Sequence, residues 1–127
     1  MTETLSGNFS FADNSTYVGE YIRVDNVIKR HGTGIFKSPT FTLEATFDND
    51  TPINGKLSFN SNCVYEGDFK NGVYEGNGSM IWPSGASYSG QWLSGKPHGE
   101  GKFVSAVGEE FVGVFENGTG PGLSAIP

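Results

Sequence analysis

The strongest constraint on the fold is a unit that occurs twice in succession. Tyr65 to Ser87 reads YEGDFKNGVYEGNGSMIWPSGAS, and Tyr88 to Glu110 reads YSGQWLSGKPHGEGKFVSAVGEE. Both are 23 residues long, and Tyr, Gly, an aromatic residue and then three more Gly recur at the same offsets. A fixed period of this length marks a repeat architecture. Each unit is one supersecondary element that buries its apolar face only by stacking on its neighbours.

The pattern extends in both directions. FVGVFENG opens a third copy at Phe111 and keeps its first strand and turn. Upstream, YVGEY opens at Tyr17 and its closing Gly is Gly34. That gap is four residues longer than from Tyr65 to Gly78, and the reading places the excess in a hairpin loop around Val24–Lys29. LEATFDND at Leu43 lies over YEGDFKNG, with Leu43 for Tyr, Ala45 for Gly, Phe47 keeping the aromatic and Asp50 for Gly. Its loop to Gly55 is one residue short. Gly7 to Phe11 aligns with Gly78 to Trp82. The organisation read is a single repeat domain, 1–127: a half-repeat at 5–16, repeats at 17–42, 43–64, 65–87 and 88–110, and a terminal half-repeat and cap at 111–127.

Within a unit the apolar residues alternate. Tyr65, Gly67 and Phe69 fall on one face and Glu66 and Asp68 on the other, as in a half-buried strand. Alternation resumes after the second Gly, through Phe9 and Phe11, Phe36, Leu57 and Phe59, Met80 and Trp82, and Phe103. Gly-rich breaks between such runs read as turns. Gly is 19 of 127 residues, roughly twice its average usage. Aromatic residues at 13% set the chain apart from Gly-rich disorder. The predicted fold is all-β: an open, single-layer antiparallel sheet of consecutive β-hairpins, an elongated twisted solenoid of about ten strands. Pro121 and Pro127 bring no N–H and are expected to discourage pairing at the edge.

Charge and composition narrow the partners. A net charge of −6 disfavours nucleic acid and anionic lipid, which repel an acidic chain. The single Cys63 forms no internal disulfide. Neither a signal peptide nor an apolar run of spanning length is expected from this sequence. His31 and His98 precede Gly at matching offsets; general bases would need a nucleophile held nearby, and the repeat accounts for both better as turn residues before a required Gly. Asp48-Asn49-Asp50 lacks the later Gly and Glu of a calcium loop and reads as a hairpin turn. No catalytic residue, metal ligand or cofactor is assigned.

YEGDFKNGVYEGNGSMIWPSG and YSGQWLSGKPHGEGKF resemble MORN repeats, whose pattern is Y-x-G-x-[FWY]-x-x-G followed by G-x-G and a strand ending in a Gly turn. The resemblance runs from Gly7 to Gly118, and Leu43–Val64 departs from it at three motif positions. It implies a non-catalytic scaffold or adaptor, cytoplasmic and cytoskeletal, in a cilium or flagellum such as the axoneme. The partner implied is a protein helix, an extended peptide or part of a larger complex, held along an aromatic groove. A peripheral phosphoinositide tether is the alternative, and self-association through the sheet edges a third reading.

The rings assigned to the partner-binding face are Tyr17, Tyr21, Phe47, Tyr65, Phe69, Trp82, Tyr88, Trp92, Phe111 and Phe115. Each has a second reading, in which it only stacks on its neighbours. Trp82 and Trp92 come first as contact residues, and Trp92→Ala is expected to weaken binding without unfolding the chain. A single-layer sheet has no second layer to cover such a face.

Overall fold

The computed structural model describes residues 3–120; Pro121, Pro127 and the end of the terminal cap lie outside them. Ten strands follow one another in a single open antiparallel sheet whose spatial order is the chain order. They are β1 (Leu5–Ser10), β2 (Thr16–Val24), β3 (Val27–Lys37), β4 (Phe41–Asp48), β5 (Thr51–Phe59), β6 (Val64–Lys70), β7 (Val73–Ile81), β8 (Ser87–Leu93), β9 (Lys96–Val104) and β10 (Glu110–Phe115).

Turn chemistry sets this layout. Asp25-Asn26, Asn49-Asp50, Asn71-Gly72, Ser94-Gly95 and Asn117-Gly118 all have positive φ at both positions. Two-residue turns of that hand match the twist of the strands they join, and Asn, Asp and Gly adopt them at least cost. The opposite ends use a longer turn. Phe11, Phe59, Trp82 and Ser105 each donate their N–H to the carbonyl four residues on, with lengths of 2.8–2.9 Å.

The four extra residues of the Tyr17 unit do not form a loop. Beyond Tyr21↔Arg30 the pairing continues through Ile22↔Lys29, Arg23↔Ile28 and Val24↔Val27. The corresponding hairpin has only Lys70↔Val73 beyond Phe69↔Tyr74. Two added cross-strand pairs absorb the insertion, because continuing the ladder satisfies backbone groups that a loop would leave to water.

One row of small residues crosses the whole sheet. Gly7, Gly19, Gly34, Ala45, Gly55, Gly67, Gly78, Gly90, Gly101 and Gly113 stand opposite one another in succession. The paired glycines of the G-x-G motif do different jobs. Gly32, Gly76 and Gly99 have φ of +95°, +97° and +103° and sit in a bulge where three residues face one on the partner strand. That one residue is Glu20, Asp68 or Gln91, and its side chain accepts the N–H of Thr33, Asn77 or Glu100. The second glycine, Gly34, Gly78 or Gly101, is a seat. A methyl group there would overlap the hydroxyl and ring carbons of Tyr17, Tyr65 or Tyr88.

Each of those tyrosines lies across its glycine and donates its hydroxyl to the carbonyl three residues on. The acceptors are Glu20, Asp68 and Gln91, at 2.6, 2.7 and 2.9 Å. The ring is thereby buried with its one polar atom satisfied.

Burial raises the pKa of Tyr65 above the usual 10, and it is the largest cause of the same upward shift in Tyr17, Tyr74 and Tyr88. A group whose folded pKa exceeds its unfolded value stabilises the fold below the unfolded pKa and ceases to as pH rises. Stability should therefore hold up to about pH 10 and fall above it. Tyrosinate absorbance and far-ultraviolet circular dichroism, followed together against pH, should change in one cooperative step. Ionisation of these tyrosines with the sheet signal intact would contradict the assignment.

Candidate functional site: two aromatic rows on one face

The aromatic side chains share a face, and the structure sorts them into two rows. The inner row is closed. Tyr17, Phe47, Tyr65, Phe69, Tyr88, Trp92 and Phe115 are all buried and belong to one cluster. Its rule is that each repeat's tyrosine meets the second aromatic of the next repeat edge to face. Tyr17 meets Phe47 at 5.7 Å, Tyr65 meets Trp92 at 5.4 Å and Tyr88 meets Phe115 at 5.0 Å between centroids. Such pairs add about 0.5–1.5 kcal/mol beyond area burial.

Seven of the ten rings assigned from sequence to partner contact are therefore packing residues of this row. Trp92 is 4% exposed, and its indole N–H is taken by the Gly78 carbonyl at 2.9 Å. It meets Tyr65, Tyr74 and Tyr88 edge to face. The expectation that Trp92→Ala leaves the fold intact does not survive this placement, because removing a ring so enclosed leaves a cavity.

The outer row lies toward the longer turns and stays partly open. Phe11, Phe36, Phe41 and Phe59 form a chain of tilted contacts at 5.9–6.5 Å. Trp82, Phe103 and Phe111 form a second chain, each contact 6.1 Å. Trp82 and Phe111 are half-buried, as is Tyr21, which packs on Phe9. Of the ten assigned rings, these three keep surface that a partner can reach. The sequence reading did not assign Phe36 to partner contact, although the alternation after Gly34 includes it, and it passed over Phe41, which alternates with Leu43, Ala45 and Phe47 along β4.

The face is uneven, and the divergent unit is where it opens. Leu43 stands in a tyrosine position, so no ring meets Phe69 from the preceding repeat. A hollow of about 400 Å³ lies there, lined by Leu43, Phe69, Pro52, Leu57, Gly72 and Tyr74, among others. It adjoins a larger one of about 730 Å³ under Phe9, Phe36, Phe41 and Tyr17, and the two share Phe41, Leu43 and Pro52. Charge enters only the larger hollow. Arg30 is held by Asp50, Nε to Oδ1 at 2.8 Å, and lies over the Phe47 ring at 4.5 Å. Asp13 is the other charged lining residue.

Backbone clasps explain why the gap falls there. At three junctions the turn of one hairpin is tied to the strand before it: Asp50 N–H to Arg30 O, Gly95 N–H to Tyr74 O and Gly118 N–H to Pro97 O, at 2.7–3.0 Å. His31, Glu75 and His98 accept the preceding turn N–H, from Asn49, Ser94 and Asn117. The two histidines thus serve as acceptors between repeats. Among the described residues no such tie joins β5 to the Asn71–Gly72 turn. The Leu43 unit has a single extra residue, Ile53, in its bulge, and β5–β6 pairing stops at Asn54↔Asp68.

Fold and face define a class: a single-layer repeat protein of β-hairpins with one apolar, partly open side. The chain is a MORN-repeat protein, with the MORN repeat family model matching residues 65–87 and 88–110. MORN repeats are modules that bind proteins or membranes, and the family is typically non-enzymatic. No curated protein matches the chain.

Proposed function

We propose that this chain is a non-catalytic scaffold that holds a segment of a partner protein along the outer aromatic row. The observation that carries the reading is the partly exposed aromatic face of a sheet with no second layer. Aromatic side chains anchored in a rigid surface are the residue types that dominate protein interfaces. Charge favours protein over anionic lipid: of the eight Lys and Arg, Arg30, Lys70 and Lys102 are ion-paired, to Asp50, Glu75 and Glu110. With a net charge of −6 the chain offers no excess of cations to phosphoinositides.

Trp82 tests this. It is half-buried at the rim, so Trp82→Ala should cost about 1–2 kcal/mol of stability, below the ~3–5 kcal/mol of a fully buried ring. Partners recovered by cross-linking to the wild-type chain should be lost from the variant. Unchanged recovery would remove the outer row from the contact. Flotation with phosphoinositide vesicles separates the tether, which would carry the chain to the top of the gradient. The cytoskeletal setting, in a cilium or flagellum, rests on the family resemblance. Retention in a detergent-insoluble pellet, with release by high salt, is its expected result.

A further inference from the structure

The family pattern fails at one unit, and that failure produces a shaped site. In the regular repeats a tyrosine fills the space before the next repeat's aromatic ring. Leu43 leaves that space empty in front of Phe69. The vacated slot continues into the larger hollow across Leu43 and Pro52. Together they form an apolar trough beside the junction of the Leu43 unit with the next repeat, where no backbone clasp is present among the described residues.

We propose that this trough is the primary docking site on the face, and that it receives a partner segment with two large apolar side chains flanked by Lys or Arg. The inference rests on the protein-binding reading above. The smaller slot has no charged residue in its lining and takes an aliphatic or aromatic side chain. At the larger hollow Asp50 and Asp13 together outnumber Arg30, leaving a net negative rim on a chain whose charge is already −6. Hydrogen bonds from Ser15 hold the Asp13 carboxyl below the usual carboxylate range, so it stays anionic. Half of the Asp50 side chain is open to solvent, at 51%. A cationic flank meets complementary charge there, and an acidic one is repelled.

The chain itself supplies the control. Leu43→Tyr with Ala45→Gly restores the family residues, fills the slot with the ring found in its neighbours and changes no charge. The test is titration of the full chain, followed by amide NMR shifts, with Ac-KKLFKLLKK-NH2 and its acidic counterpart Ac-EELFELLEE-NH2. The basic peptide should shift amides around Phe41, Leu43 and Phe69, and bind the double variant at least tenfold more weakly. The acidic peptide should bind at least tenfold more weakly than the basic one. Equal binding of both peptides, or undiminished binding to a variant whose spectrum shows it folded, overturns the proposal. Shifts confined to Trp82 and Phe111 overturn the trough while leaving the outer-row reading standing. Shifts at the trough that follow protein concentration without peptide assign it to a second copy and also overturn the proposal. Loss of cross-linked partners in Trp82→Ala, with no peptide response at the trough, separates failure of this site from failure of the broader reading.

Discussion

Trp92→Ala should destabilise the chain by about 3–5 kcal/mol, the range for deleting a large buried aromatic. Three tyrosines pack edge to face against this ring, so its removal opens one void at the meeting point of two repeats. It also strips the Gly78 carbonyl of its indole donor, which adds the cost of an unpaired acceptor wherever water does not reach it. Small domains are stable by only ~5–15 kcal/mol, so this single change removes a large share of the total. Urea unfolding should show a lower midpoint, and any loss of partner binding should track the unfolded fraction. A variant with unaltered stability and abolished binding would return Trp92 to the contact surface.

Gly78→Ala should be the second severe change, although it adds one methyl group. The Cβ would overlap the hydroxyl and ring of Tyr65, which is 0% exposed and has no room to withdraw. Overpacking of this kind costs about 1–3 kcal/mol and sometimes more. The upper end is expected because displacing the ring also breaks its bond to the Asp68 carbonyl at 2.7 Å. Gly85→Ala is the comparison. Nothing lies within 4 Å of its Cβ, and only its φ of +93° opposes the substitution, at about 1–2 kcal/mol. Tyr65→Leu should lower the penalty of Gly78→Ala, because the two sites share one space and cannot act additively. Chemical denaturation of the four variants gives that coupling directly. Equal costs for Gly78→Ala and Gly85→Ala would remove the seat interpretation.

The strands were legible because they are a local matter. Alternation, Asn-Gly and Ser-Gly turns and the G-x-G spacing are written within each unit, and the ten strands follow them. The insertion after Tyr17 was located but given the wrong form. A count of residues does not reveal whether an excess leaves the ladder or lengthens it, and Asp25-Asn26 at the tip settled the question by supplying a two-residue turn.

The face was read correctly as aromatic and its rings were assigned too broadly. Tyr65 and Trp82 carry the same period-2 signal, yet one is sealed and the other half-open. What separates them is enclosure: Tyr65 lies on its Gly78 seat against Phe69, Tyr74 and Trp92, whereas Trp82 lies just past the end of β7, beside a longer turn, against Phe103. Leu43 was visible as a departure from the pattern. Its consequence, an apolar hollow in front of Phe69, depends on a partner from the following unit.

By itself the sequence determined the repeat, its family, the strand order and which face is apolar, since each follows from spacing within one unit. Only the tertiary structure decided which rings are core and which are surface. It also decided where the sheet opens and what His31 and His98 do. Those properties arise where one hairpin meets the next, and packing across that junction is fixed by residues tens of positions apart in the chain.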